Sequence, residues 1–170
     1  MKLDVLKYPD ARLRLKSAPV ERITEEICRL AEDMVETMYA EDGIGLAAPQ
    51  VGRPLRLVVV DLSGPSRREA ATVYVNPELE ILGEETQESE EGCLSVPDLR
   101  AVVKRGARVR IKALNLRGEE LVEEADGVRA ICLQHECEHL EGRLFLDRLS
   151  RLKRNLYNIK RKKILTGDDA

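Results

Sequence analysis

The chain has no tryptophan, a single phenylalanine and only 3% aromatic residues. That composition argues against the stacking platforms on which single-stranded nucleic acids are held. No apolar stretch approaches the ~20 residues of a membrane span, and the opening Met1-Lys2-Leu3-Asp4-Val5 lacks the continuous apolar run of a secretory signal. A cytoplasmic location with no membrane association is therefore expected. Neither charge dominates: the net charge of −3 supplies no field that would draw the whole molecule to nucleic acid. Cysteines are few, and Cys28, Cys93, Cys132 and Cys137 are read as thiols because nothing indicates export to an oxidising compartment. Internal repeats are absent, and the one low-complexity stretch is acidic, at 84–91. Charge itself is abundant, at 35% of residues against about 25% in an average globular protein. With 170 residues, 43% of them apolar, the chain has enough material for one cored domain. We expect that domain over 1–165, with 166–170 as a loose tail.

Periodicity places the elements. Ile23, Ile27, Leu30, Ala31, Met34, Val35 and Met38 follow a helical repeat, with Thr24 as N-cap and acids just after it. Leu57-Val58-Val59-Val60 reads as a buried strand, and Thr72-Val73-Tyr74-Val75 as another that ends before Asn76-Pro77. Val109, Ile111 and Ala113 alternate with basic residues, as in a half-exposed strand, and Arg117-Gly118 then suggests a hairpin turn. A second helix is expected between an N-cap at Asp126 and a stop at Gly142, with Val128, Ile131, Cys132, His135 and His139 on one core-facing stripe. A last helix from about Leu149 is expected to bury Leu152, Leu156 and Ile159 beneath a basic face of Arg151, Lys153, Arg154, Lys160, Arg161 and Lys162. Strands and a few helices without βαβ alternation indicate an α+β fold. Its sheets, antiparallel or mixed, would pack around the second helix.

His135 and His139 are the only histidines, and Glu136 follows the first. An α-helix turns about 100° per residue, so positions i and i+4 share a face and two imidazoles there reach one metal ion. Catalytic metals usually take three protein ligands and leave one position open. With no further histidine, the third ligand must be a thiolate or carboxylate. The usual extensions of H-E-x-x-H fail, because Phe145 stands where a third histidine would fall and no glutamate follows Glu141. Cys137 lies about 200° around the helix from His135, and Cys132 is about 10 Å along the axis from His139. Cys28 suits packing in the first helix. Cys93, in Glu91-Gly92-Cys93-Leu94-Ser95-Val96-Pro97, is the best remaining candidate.

Three segments, Gly43-Ile44-Gly45-Leu46-Ala47-Ala48-Pro49-Gln50, Glu91-Gly92-Cys93-Leu94-Ser95 and Gln134-His135-Glu136 through His139, resemble the three motifs of peptide deformylases in order and separation. The likeness extends from Leu6-Lys7-Tyr8-Pro9-Asp10 to Leu144-Phe145. It implies hydrolysis of the formyl amide of N-formylmethionine on newly made polypeptides, giving formate and a free N-terminal Met. It also implies Cys93, His135 and His139 as metal ligands and Glu136 as general base and acid toward a metal-bound water. The backbone N–H of Leu94 and the amide of Gln50 would stabilise the oxyanion. Ile44, Val128, Ile131 and Cys132 would line the methionine pocket, the glycines beside Ile44, Gly45 among them, would admit the peptide backbone, and Arg100 would lie near the following peptide. The donor set makes Zn²⁺ the default, whereas the resemblance points to native Fe²⁺, with Ni²⁺ or Co²⁺ as possible substitutes.

Two positions depart from the family pattern: Glu138 stands where Asp is usual, and Cys137 where a larger apolar residue is common. Altered packing around the ligands is expected from the first, and an additional oxidisable thiol from the second. Two other functions remain open on the residues alone. A metallopeptidase cutting internal bonds would need only H-E-x-x-H, and a non-catalytic protein could dock through the basic last helix, with ribosomal RNA as one acidic partner.

Overall fold

The computed structural model describes residues 1–167. In chain order its helices are α1 (Glu25–Ala40), α2 (Gly127–Leu140) and α3 (Arg151–Thr166). The strands are β1 (Gly45–Ala47), β2 (Leu57–Val60), β3 (Thr72–Ile81), β4 (Thr86–Cys93), β5 (Val96–Gly106), β6 (Arg108–Leu114) and β7 (Glu120–Asp126). The strands form an antiparallel five-stranded sheet in the order β1-β2-β3-β6-β7 and a two-stranded sheet, β4-β5. The α+β class expected from the sequence is observed.

The continuous apolar run of β2 follows from cover on both faces. Leu57 and Val59 join the core under α1, where Leu30, Met34 and Met38 pack, and Val58 and Val60 join the core under α2, with Ala130 and Leu133. Helix α1 starts as expected: the Thr24 side chain accepts from the Ile27 N–H at 3.3 Å. Glu25 and Glu26 occupy its first turn, where the helix dipole favours negative charge. The Arg117–Gly118 turn joins β6 to β7, with Gly118 at φ +77°.

Strand β3 does not end at Val75. It runs through Asn76-Pro77 on a register shift between Val75 and Glu78, and such a bulge tolerates a proline that cannot donate to the ladder. Asn76, at φ +53°, accepts from Val20 N–H at 2.7 Å and donates to the Val20 carbonyl at 2.9 Å, so its side chain ties the bulge to the N-terminal segment.

The acidic low-complexity stretch becomes β4, whose Glu88 and Glu90 point outward while Glu91 is buried. With β5 it forms a hairpin closed at Cys93 opposite Val96. A third core beneath it gathers Val96, Val103, Leu144, Phe145, Leu149 and Tyr157.

Asp126 occupies the N-cap position of α2, although its side chain makes no capping bond. Gly142 follows the helix at φ +73°, where a Cβ would lie 2.4 Å from the Arg14 carbonyl oxygen. The expected stripe on α2 leaves the core at its first turn, since Val128 is 61% exposed.

Helix α3 contradicts its expected orientation. Leu152, Leu156 and Ile159 are 67%, 58% and 56% exposed, and Tyr157 is the residue of this helix that is buried. The helix is held largely by polar anchors: Tyr157 OH donates to the Pro97 carbonyl (2.8 Å), Arg161 Nε to the Tyr8 carbonyl (2.8 Å), and Tyr8 OH to Asn158 (2.6 Å). Its apolar periodicity therefore marks an uncovered face. Thr166, the expected start of a loose tail, is still helical, and Gly167 caps it at φ +75°; the rest of that tail, 168–170, lies outside the described residues. Among the described residues no helix is long and apolar enough to cross a membrane.

Candidate metal centre

Three segments converge at the wall of a cleft of about 850 Å³. The turn after β1 supplies Gln50, the end of β4 supplies Cys93, and α2 supplies His135, Glu136 and His139. One donor atom from each of Cys93, His135 and His139 lies within 4.8 Å of the others, and Cys93 Sγ is 3.4 Å from His139 Nε2. The two imidazoles meet edge to face at 5.2 Å, and Phe145 stacks on His135 at 5.8 Å.

Gln50 and His135 are held from behind. The Ala47 N–H donates to Gln50 Oε1 at 2.9 Å, which fixes the amide so that Nε2 faces Ser95 Oγ (3.1 Å) and Cys93 Sγ (3.6 Å). His135 Nδ1 meets Glu91 Oε1 at 2.9 Å. Glu91 is gripped in turn by Arg105, from Nε to Oε2 at 2.6 Å and from a terminal nitrogen to Oε1 at 2.9 Å. The other terminal nitrogen of Arg105 forms an ion pair at 3.1 Å with Glu138, which also pairs with Arg148 at the surface. Glu138 thus extends a chain of charges that runs from His135 to solvent. Glu136 is buried, and its Oε2 has no hydrogen-bond partner; His139 Nδ1 is likewise unpartnered.

Burial sets much of the electrostatics. It pushes the Glu136 carboxyl up to about 7, against the opposing pull of His135 and Arg105. Burial also raises the Glu91 carboxyl, but hydrogen bonds from His135 and Arg105 outweigh it and hold Glu91 below the usual range. His139 is pushed well below an ordinary imidazole by burial and then by the charges of His135, Arg105 and Arg14. His135 is also opposed by burial, yet Cys93 and Glu91 hold it well above the ordinary value. The other ring nitrogen of a ligating histidine normally finds an acceptor; His135 has one in Glu91, whereas His139, kept neutral by burial, has none for its Nδ1.

The residues expected around substrate border the same cleft: Ile44, Gly45, Arg100, Val128, Ile131 and Cys132 all line it, as do Gln50, Leu94 and Glu136. Cys132 is buried with its thiol pushed well up by burial, and Cys137 is partly buried and pushed up to about 12 by the same cause. Arg100 is engaged with Glu90 at 2.9 Å. Gly45 is a steric necessity, because a Cβ there would stand 2.7 Å from Glu136 Oε1 and 3.0 Å from Cys132 Sγ. Glu91, Ser95, Arg105 and Phe145 carry no role that the motifs alone reveal, yet all four support the site. Glu91 could have been inferred from the need of a ligating histidine for an acceptor; the pairing of Arg105 across the β4–β5 hairpin carried no such signal.

A sulfur and two imidazoles set beside a buried glutamate on an H-E-x-x-H helix define the class of metal-dependent hydrolases. Residues 2–155 match the family model for polypeptide deformylase. The chain is 52% identical to a peptide deformylase of Tolumonas auensis over 166 residues, covering 98% of each. It is also 52% identical to one of Acinetobacter baumannii over 163 residues, covering 96% of this chain and 92% of that protein. The crystal structure of a peptide deformylase from Legionella pneumophila superposes with a TM-score of 0.90 at 40% identity, covering 100% of both chains. The chain belongs to the peptide deformylase family, enzymes that remove the formyl group from nascent peptides.

Proposed function

We propose that Cys93, His135 and His139 hold one divalent cation and that Glu136 carries the proton of formyl-amide hydrolysis. The observation that supports this most is the meeting of three donor atoms within 4.8 Å, beside a buried carboxylate oxygen that has no partner. A thiolate and two imidazoles suit a four-coordinate ion with one position open. When bound, the cation supplies Lewis acidity, polarising the formyl carbonyl and lowering the pKa of water to about 7.

The remaining steps belong to side chains of this protein. Glu136 accepts a proton as water attacks the formyl carbon and delivers one to the amine nitrogen as the C–N bond breaks, releasing formate. Burial raises this carboxyl above its ordinary range, which suits a group that must hold a proton as well as accept one. Gln50 Nε2, whose orientation Ala47 fixes, and the Leu94 N–H donate to the oxyanion; loss of one such donor costs about 3 kcal/mol of barrier. Ile44, Val128, Ile131 and Cys132 receive the methionine side chain, Gly45 lets the backbone approach, and Arg100 lies along the next residues.

Fe²⁺ is the native ion in this reading, with Zn²⁺, Ni²⁺ or Co²⁺ able to take its place. The enzyme works in the cytoplasm as one catalytic domain over 1–165, and of the basic residues of α3, Arg151, Arg154 and Lys162 are the ones offered to ribosomal RNA. Metal analysis of anaerobically purified protein tests the ligand set. One ion per chain is expected in the wild type and in Cys132→Ala, with loss in folded Cys93→Ala, His135→Ala and His139→Ala. Retention of a full ion by any of those three would remove that residue from the set.

A further inference from the structure

Beside the cleft lies a second concavity of about 560 Å³ between β5 and α3. Glu90, Asp98, Leu99 and Arg100 border both, so the groove continues the cleft instead of standing apart from it. On the α3 side, Lys153, Leu156, Tyr157 and Lys160 line it, at offsets of 0, 3, 4 and 7, which share one helix face. On the β5 side, Leu99, Ala101 and Val102 line it. Val102 and Leu156 are 55% and 58% exposed, large apolar side chains that no core has absorbed.

Charge is arranged unevenly along the groove. Arg100 is neutralised by Glu90 where groove and cleft join, and Asp98 adds a negative charge there. Lys153 and Lys160 form no ion pair among the described residues, as is true of the other cations of α3, and of those cations these two are the ones that line the groove. Seven residues of helix separate these lysines by about 10 Å, between the ~7 Å and ~13 Å that separate same-face side chains two and four residues apart on an extended peptide, a difference that flexible lysine stems span.

We propose that this groove is a subsite for the nascent chain beyond its third residue, recognising an extended segment with acidic side chains for Lys153 and Lys160 and apolar ones for Val102 and Leu156. The inference rests on the deformylase reading above. A nascent polypeptide has to leave the cleft somewhere, and the shared Asp98–Arg100 wall leads directly into a groove with an apolar floor and unpaired cations. Subsite binding makes kcat/KM depend on residues far from the reacting amide.

The test uses the metal-loaded enzyme with formyl-Met-Ala-Ser and with that tripeptide extended by five residues, alternating leucine with either glutamate or lysine. Wild type is expected to prefer the glutamate peptide over the lysine peptide by about three- to tenfold in kcat/KM at low salt, with the preference shrinking as salt screens it. The K153E/K160E double variant should invert the order, an outcome that partial misfolding would not produce. Equal kcat/KM for the two long peptides in wild type, or an order unchanged in the double variant, overturns the proposal while formate from the tripeptide keeps the deformylase reading intact. Failure to release formate from any peptide overturns both.

Discussion

Replacing Arg105 with Met should be the most damaging single change behind the metal centre. The Arg105 side chain is fully buried, that of Glu91 is 5% exposed, and that of Glu138 is 13% exposed. Water cannot take over the contacts that Arg105 makes. Met fills a similar volume but leaves two carboxylates facing each other in the interior, and breaking a buried ion pair on one side costs about 3–5 kcal/mol. That is a large share of the roughly 5–15 kcal/mol that holds an ordinary domain folded. At about 2–4 °C per kcal/mol for a chain of this length, the melting temperature should fall by roughly 6–20 °C. The same change frees Glu91, which orients His135 through Nδ1, so metal affinity should drop about 10- to 100-fold. Denaturant unfolding at fixed excess metal, with competition against a chelator, measures both quantities. Arg148→Ala is the control: it removes the partly exposed partner of Glu138 and should cost at most about 1 kcal/mol. A loss below about 1 kcal/mol for Arg105→Met, or an unchanged metal affinity, would refute the argument that this buried network supports the site.

Gly45→Ala should reduce kcat more than tenfold, because the added methyl would stand 2.7 Å from Glu136 Oε1 and 3.0 Å from Cys132 Sγ; a fully active variant would show that both side chains have room to move. Burial pushes the Asp61 carboxyl up, but hydrogen bonds from Ser63, Tyr39 and the Ser63 and Ala70 amides outweigh it and hold Asp61 at about 2 against an ordinary 3.8. A depressed carboxyl stabilises the fold above its unfolded value, so this contribution is complete above about pH 4 and is lost as pH falls toward 2. Asp61→Asn should therefore flatten stability against pH in that window and leave the slope above pH 5 unchanged. Leu133→Ala, at a fully buried position, should cost about 2–5 kcal/mol, whereas Ile159→Ser on the uncovered face of α3 should stay within about 0.5 kcal/mol; comparable losses at both sites would place that face in contact with something.

The legible parts of this molecule were those governed by local rules. Periodicity found α1 with its Thr24 cap, and the apolar run of β2 announced a strand covered on both faces. The spacing of His135 and His139 announced a shared helix face. Long-range pairing hid the rest. Strand β4 read as an acidic low-complexity stretch because its outward positions carry Glu88 and Glu90, and only its pairing with β5 makes it a strand. Pro77 looked like a strand end because a bulge cannot be seen in one sequence. In α3, the regular spacing of Leu152, Leu156 and Ile159 suggested a core face, yet the helix docks through Tyr157, one residue out of phase. At the site, the three motifs marked the residues that the fold brings to one cleft, whereas Arg105 acts from across a hairpin whose register decides its neighbour.

In the proposed reaction Glu136 moves the proton beside an ion held by Cys93, His135 and His139. The direct measurement is formate release from formyl-Met-Ala-Ser by anaerobically purified, Fe²⁺-loaded protein and by Glu136→Gln with its metal content verified. Rapid release by the wild type and a loss of at least about 100-fold in a variant that still holds one ion per chain are expected, the range that positioned proton transfer contributes. Formate released at wild-type rate by the metal-loaded Glu136→Gln variant would contradict it.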